Sequence, residues 1–201
     1  MASQGRSTGT VTLTAAAPAV NAVVTLSSSN TDVARVSASS VSVLAGATTA
    51  TFTIDASSVG ASTNVTITAS YEGVTRTATL TVTPPPLSAR FTFTSVARGT
   101  DGCEISAADG DLDCTFDATS STGPIDQYIW FVTVGSKELT HNTTQPIVKL
   151  DTDCTLLGGG TEDDDGRIEM RVELHLRGRD GTLSSKVNST LKVWTNGRCG
   201  F

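Results

Sequence analysis

The chain has 201 residues and a formal net charge of −6, with 17% charged and 5% aromatic residues. This length indicates one large domain or two small ones. The negative balance argues against a nucleic-acid-binding protein, which needs a basic stripe to meet phosphates. No apolar run reaches the roughly 20 residues of a membrane-spanning helix, so we expect no membrane insertion.

Two compositionally different parts meet at the sequence TPPPL, residues 83–87. Residues 1–86 carry three basic and three acidic residues, so the remaining residues hold 11 of the 14 basic and 17 of the 20 acidic ones. All four cysteines, both tryptophans and both histidines also lie in the second part. We therefore predict one domain at 1–83 and another at 88–201, joined by a linker at 84–87. The three prolines favour an extended, semi-rigid spacer.

The first domain shows apolar and polar residues that alternate with a period of two. This pattern predicts strands with one buried and one wet face, and the turn-rich sequences between them predict an antiparallel sandwich. The predicted strands are residues 10–15, 22–28, 41–46, 50–56, 64–71 and 74–83.

Three stretches of this domain carry a family resemblance, namely VTLSSSNTDVARVS, VLAGATTATFTI and TITASYEGVTRTATLTV. They resemble the bacterial Ig-like modules of surface and secreted proteins, and the resemblance covers nearly all of residues 10–84. It implies an Ig-like sandwich that serves as a spacer or an adhesive domain.

The stretch CTFDATSSTGPIDQYIWFVTV, residues 114–134, resembles the PKD-type Ig-like sandwich. The resemblance implies a second sandwich in which Phe116 and Trp130 enter the core. The chain departs from that family after the tryptophan, where FVTVGSKELT replaces the acidic DFGDG turn. An alternative role for the aromatic residues is a sugar-stacking platform, which would require exposed, coplanar rings.

Residues 166–194 read as the closing hairpin of the second domain. Strict alternation predicts one buried row and one charged outer row, with Trp194 only partly buried near the end. The buried row is Ile168, Met170, Val172, Leu174 and Leu176, and the outer row is Glu169, Arg171, Glu173, His175 and Arg177.

The segment CEISAADGDLDC, residues 103–114, allows three interpretations: a calcium loop, a redox pair or a disulfide across a turn. Asp109, Asp111 and Asp113 alternate as in an EF-hand, but the glycine and glutamate positions of that loop hold Cys114 and Ser120. No close grouping of cysteines and histidines suits zinc, and a redox pair is normally CxxC.

A disulfide between neighbouring strands is the interpretation that remains for Cys103 and Cys114. Four cysteines allow three pairings, and we predict Cys103–Cys114 and Cys154–Cys199. Such bonds imply an oxidising compartment.

The densest acidic stretch is LLGGGTEDDDGR, residues 156–167. Glu162, Asp163, Asp164 and Asp165 form a candidate calcium site, with Asp151 and Asp153 as further ligands. The competing interpretation, which we favour, is a solvated and mobile hairpin loop without a metal ion. Consecutive carboxylates repel one another, and the glycines leave the loop without a preformed shape.

No arrangement in the sequence indicates catalysis. We expect His141 in a polar turn and His175 on an outer strand face, and the chain has no GxSxG nucleophile elbow. We expect no enzyme activity and no cofactor. Three Asn-X-Thr sequences at Asn64, Asn142 and Asn188 match the glycosylation pattern, and we attribute them to chance.

These observations favour an all-β protein of two tandem Ig-like antiparallel sandwiches. We expect a non-catalytic spacer or adhesion module of an exported bacterial protein, at the cell surface or secreted, whose signal peptide is not in this chain. Its partner would be a protein or a cell-surface glycan. Two alternatives stay open, a self-assembling subunit of an extracellular filament or virion surface, and a carbohydrate-binding accessory module.

Overall fold

The computed structural model describes residues 5–106, 110–150, 152, 154–158, 160–197 and 199. The chain divides into two compact units, unit one at Met1–Pro85 and unit two at Pro86–Phe201. The prediction of an all-β protein is confirmed, because the described residues hold 15 strands and a single short helix. Within the described part of the chain, no helix has the length and apolar character that crossing a bilayer requires.

Unit one contains seven strands in two antiparallel sheets. The three-stranded sheet has the order β1-β5-β3, and the four-stranded sheet has the order β4-β2-β6-β7. The strands are β1 Gly5–Thr12, β2 Ala22–Ser28, β3 Ala34–Val36, β4 Ser40–Val43, β5 Thr49–Ala56, β6 Thr63–Tyr71 and β7 Val74–Val82.

The core of unit one is split into two small clusters that Phe52 and Val36 join, since both pack against each of them. Phe52 fits because Gly9 stands opposite it in the β1–β5 register, where a Cβ would lie 2.3 Å from the ring. The buried members of the first cluster are Val11, Ala17, Ala22, Val24, Leu26 and Val43, and those of the second are Ala34, Ile54, Val65, Ile67 and Val82.

Several predicted features of unit one need correction. The predicted strand 10–15 begins at Gly5 and ends at Thr12, and strand 41–46 ends at Val43 because Gly46 takes a turn conformation with φ of 78°. The three-residue β3 is absent from the prediction. The expected buried face of 74–83 is wrong for the first half of β7, whose residues 74–79 are all exposed.

Unit two contains eight strands in two sheets and one helical turn. The sheet orders are β13-β10-β8 and β12-β11-β14-β15-β9. The elements are β8 Thr92–Ser95, β9 Cys103–Glu104, β10 Cys114–Asp117, β11 Ile125–Val134, β12 Lys137–Thr143, β13 Ile147–Lys149, α1 Cys154–Leu157, β14 Arg167–Gly178 and β15 Val187–Trp194. The prediction of purely antiparallel sheets is wrong at one place, because β9 runs parallel to β15.

The two sheets of unit two enclose one continuous core. Trp130 on β11 is fully buried, and its ring centroid lies 5.2 Å from that of Phe91 and 5.9 Å from that of Phe116. The predicted hairpin is confirmed as β14 and β15, which pair from Arg167↔Trp194 to Leu174↔Val187. The predicted buried row of β14 is 0% exposed throughout. Leu87, which we had assigned to the linker, packs against this core.

Candidate functional site

An open groove of about 770 Å³ lies within unit one. The end of β1 and residues 13–18 line one side, and the β6–β7 hairpin lines the other. These two sides belong to different sheets, so the groove is the gap between the sheets at the β1 and β7 edges. Its apolar lining comprises Val11, Leu13, Ala15, Ala16, Ala17, Val24, Phe52, Ile67, Ala69, Tyr71, Val74 and Ala78.

The hairpin that forms one wall has a turn that fixes its hydrogen-bond pattern. Glu72 and Gly73 both have positive φ, 47° and 80°, and Tyr71 pairs directly with Val74. Two positive φ values are the mark of a type I′ turn, which closes on a hydrogen-bonded pair. Because hydrogen-bonded and non-hydrogen-bonded pairs alternate in antiparallel strands, every second residue of β7 after Val74 is not bonded to β6.

The residues of β7 whose backbone groups make no hydrogen bonds to β6 are all threonines. Thr75, Thr77, Thr79 and Thr81 direct their backbone N–H and C=O groups away from β6, toward the free edge of the sheet. Arg76 Nη1 donates to the Thr75 carbonyl at 3.3 Å, as an outward carbonyl allows. The strand therefore presents a row of backbone donors and acceptors beside the groove.

The other sheet edges of the described residues are shorter or bear features that discourage pairing. β3, β4 and β13 have three or four residues, and β12 begins with Lys137 and Glu138. β1 carries two glycines and Arg6, which is bound to Asp55 at 2.9 Å. Charges and short strands at sheet edges oppose pairing with another chain. β7 has nine residues and a single charge, that of Arg76.

The charges around the groove are few. Glu72 and Arg76 are the charged residues of its lining, and every other lining side chain is aliphatic, aromatic, threonine or proline. A charged ligand group would lose its hydration in this apolar groove without gaining a partner of opposite charge. The groove therefore selects against charged ligands. Sequence reasoning missed the groove, because alternation marks the inner face of β7 without saying whether another element covers it.

The predicted cystines are both present in unit two. Cys103 pairs with Cys114 and Cys154 with Cys199, with sequence separations of 11 and 45. Cys103 belongs to the five-stranded sheet and Cys114 to the three-stranded one, so this bond links the two sheets of unit two. The prediction that it joins neighbouring strands across a turn agrees with the antiparallel bridge Ile105↔Leu112 and the Cα–Cα distance of 5.4 Å between the two cysteines.

Asp113, one of the alternating aspartates, has a structural role. Its carboxylate accepts from the backbone N–H of Glu104 at 2.8 Å and from the hydroxyl of Ser95, and thereby ties β9 to β8. Asp109 lies outside the described residues. Asp113, Cys103 and Cys114 form the metal-type cluster of the described residues, but its two sulfurs are joined to each other.

The acidic loop is largely exposed, and three of its carboxylates contact neighbouring side chains. The Arg167 guanidinium pairs with Asp163 at 2.9 Å and with Asp165, and the Thr195 hydroxyl donates to Glu162. Burial opposes ionisation of Asp163, but hydrogen bonds from the main chain and side chain of Arg167 and from the Asp165 N–H lower its pKa. These contacts give the loop specific partners, and whether it is mobile stays a prediction.

The same loop gives no ligand cluster among the described residues. No three of Glu162, Asp163, Asp164 and Asp165 bring ligand atoms within 4.8 Å of one another. Asp151 and Asp153, the other two candidates, lie outside the described residues. The carboxylates of Asp163 and Asp165 already form salt bridges with Arg167.

The two histidines lie on opposite faces of the five-stranded sheet. His141 pairs across from Trp130 and shares its face, whereas His175 pairs across from Ile129 and faces outward. The His175 ring lies 5.6 Å from the Phe131 ring, edge to face. Burial and the nearby Lys186 charge lower the pKa of His175, and Glu173 opposes them. The histidines therefore cannot act as one catalytic or metal-binding pair.

The aromatic rings of the described residues do not form a sugar platform. Trp130 is fully buried, and Arg98 lies over the Trp194 ring at 4.3 Å from its centroid. The large apolar side chains that are well exposed among the described residues are all aliphatic. The carbohydrate-binding alternative therefore lacks the exposed, coplanar rings that it requires.

No protein-family model and no curated protein matches this chain.

Proposed function

We propose that the protein is a non-catalytic, adhesion-type interaction module of an exported protein, built from two tandem Ig-like sandwiches. Unit one binds an extended polypeptide segment by strand addition at β7, and unit two is the rigid, disulfide-linked body. One observation carries the proposal: the longest unprotected strand edge of the described residues borders an open apolar groove.

Strand addition combines two kinds of contact in this arrangement. The outward backbone groups of Thr75, Thr77, Thr79 and Thr81 supply the hydrogen bonds that hold an extended chain in register. Alternate side chains of that chain point toward the groove, where they meet Val11, Phe52 and Ile67. Affinity then comes from the backbone, and selectivity comes from the groove.

The cystines support a location outside the cytosol. Two disulfides in a chain of this size are typical of an oxidising environment outside the cytosol. The resemblance of 10–84 and 114–134 to Ig-like modules of exported bacterial proteins agrees with this location. A surface-displayed or secreted module would meet extended segments of other proteins there.

The groove defines the chemistry of the segment. It accepts small or medium apolar residues at alternate positions, because its lining is apolar and its volume is about 770 Å³. Charged residues at those positions would be desolvated without a matched partner, since Glu72 and Arg76 lie near the β6–β7 turn end of the groove.

An NMR titration of the full chain tests the proposal. The probe is a blocked peptide, Thr-Val-Thr-Ala-Thr-Val-Thr, and the control peptide carries lysine in place of its apolar residues. We expect the apolar peptide to shift the amide signals of Thr75, Thr77 and Thr79, and the lysine peptide to leave them unchanged.

A pair of variants separates backbone pairing from side-chain contact. Thr77→Pro removes one outward N–H, which an edge strand tolerates because that N–H faces solvent. Thr77→Val changes the side chain and keeps the N–H. We expect peptide binding to be lost in the proline variant and kept in the valine variant. Peptide shifts that are equal in the two variants, or no shifts in a wild type that is monomeric, would refute strand addition at β7.

A further inference from the structure

The sequence of β7 is symmetric about its centre except at Arg76 and Leu80. Residues 75–81 read TRTATLT, so that Thr75 and Thr81, and Thr77 and Thr79, are equidistant from Ala78. Ala78 is also the middle residue of the strand Val74–Val82. An antiparallel pair of two identical strands has a two-fold axis, and a strand with such a symmetric sequence matches itself across that axis.

We infer that the segment bound at β7 is the β7 strand of a second copy of this chain, antiparallel to the first and centred on Ala78. This inference rests on the strand-addition site proposed above and names its partner. The four-stranded sheets of two copies then form one continuous eight-stranded sheet.

The hydrogen bonds of this pairing follow from the free edge. With the axis at Ala78, Thr75 stands opposite Thr81 of the second copy, and Thr77 opposite Thr79. All four residues point their N–H and C=O groups outward, so each of these positions becomes a hydrogen-bonded pair. Every threonine therefore meets a threonine, which is a favourable cross-strand combination.

Side chains on the groove side of β7 also match across the axis. Ala78 faces Ala78 of the second copy, where two small side chains meet in the closer, non-hydrogen-bonded type of pair. Arg76 faces Leu80 of the second copy, so the strand's single charge is kept away from its symmetry mate. Val74, which is 57% exposed in one copy, meets Val82.

The other registers pair fewer residues, and one of them also places like charges together. An axis at Thr77 would overlap only residues 74–80, and an axis at Thr79 only residues 76–82. An axis at Arg76 would overlap only residues 74–78 and place two guanidinium groups opposite each other, which opposes pairing. An axis at Leu80 would overlap only residues 78–82. The axis at Ala78 is the one that pairs all nine residues of the strand.

The register is tested by a single introduced thiol in the full chain. Ala78→Cys brings two Cα atoms about 4.5 Å apart in the proposed dimer, and this distance suits a disulfide. The described native cysteines are all paired, so the new thiol has no free native competitor among them. The matched control is Ala38→Cys, an exposed alanine between β3 and β4.

The expected result is a large difference in cross-linking rate under mild oxidation. A paired site holds its thiols at an effective concentration on the order of millimolar, so at about 10 µM protein A78C should cross-link about 100-fold faster than A38C. Arg76→Cys should cross-link with Leu80→Cys when the two variants are mixed, and each should cross-link poorly with itself. Equal rates for A78C and A38C would overturn the inference.

Sedimentation of proteins without added cysteine gives an independent measurement. The wild type should show concentration-dependent dimerisation, and Ala78→Arg should abolish it by placing two like charges at the axis. A monomeric wild type would also overturn the inference. Should the peptide above still shift the β7 amides in that case, the proposed function stands and only its partner is wrong, whereas failure of both measurements refutes the function as well.

Discussion

Unit one and unit two follow the same alternation of apolar and polar residues, yet they close their cores differently. Among the described residues, unit one buries 11 apolar side chains in two clusters, and unit two buries 18 in one cluster. The largest fully buried residues of unit one are Val43 and Val65, whereas unit two has Trp130 and Phe116. Small β-branched residues form strands well, but they leave a gap between sheets that aromatic rings would fill.

This difference indicates which of the two units has room for a binding site. In unit two the large rings and the Cys103–Cys114 cystine hold the sheets together, and in unit one the gap between the sheets at β1 and β7 stays open. This open gap beside a free strand edge is the reason why we propose strand addition at unit one.

Reduction of the disulfides should produce the largest difference in stability between the two units. In the chain-entropy model, the 11-residue and 45-residue separations correspond to about 3 and about 4 kcal/mol of stability. We expect reduced protein to lose amide protection in β11 and β14 while β5 and β6 keep theirs. Hydrogen exchange with and without reductant checks this, and double Cys→Ala variants of each pair rank the two bonds. Equal loss of protection in both units would contradict the comparison.

Truncation of the central ring of unit two should have the next largest effect. Trp130 is fully buried between Phe91 and Phe116, so Trp130→Ala should destabilise unit two by about 3–5 kcal/mol. Trp194→Ala is the matched control, and its loss should be smaller because that ring is only partly buried against Arg98. Denaturant unfolding measures both. A loss below about 1 kcal/mol for Trp130→Ala would mean that this core is not closed around the ring.

A smaller effect is expected for the contact that joins the two clusters of unit one. A Cβ at position 9 would lie 2.3 Å from the Phe52 ring, so Gly9→Ala should cost about 1–3 kcal/mol by overpacking. At Gly5 on the same strand, a Cβ would meet only the Ala56 Cβ at 3.9 Å. Gly5→Ala should change stability by no more than about 0.5 kcal/mol. Equal losses, measured by hydrogen exchange of β5, would show that the gap can absorb the displaced ring.

The sequence was most informative where alternation is long and its apolar members are large. Ile168, Met170, Val172, Leu174 and Leu176 are buried as predicted, because five large side chains at period two specify one face. Short strands escaped prediction, since β3, β9 and β13 have only two or three residues, too few for a period to be seen. β12 was missed because its sequence, KELTHNT, is mostly polar.

The exposure of β7 and the contacts of the acidic loop could not be predicted because both depend on residues that are distant in the sequence. Alternation on β7 identifies the face that carries Val74 and Ala78, but covering that face depends on β1, which is distant in sequence. The acidic loop likewise depends on Thr195 and Lys192, contributed by the chain some 30 residues later. Local composition alone suggested a mobile loop.

The parallel pairing of β9 with β15 sets an order on how unit two is completed. β9 comes early in the unit and forms its described ladder with residues Val193 and Trp194, about 90 residues later. A chain that emerges from its N-terminus first can therefore finish unit one while β9 still lacks its partner. Only arrival of the last strand completes the five-stranded sheet, and Cys199 then reaches Cys154 to lock it. Unit two therefore completes its five-stranded sheet only after β15 has been synthesised, and this order lets unit one fold first.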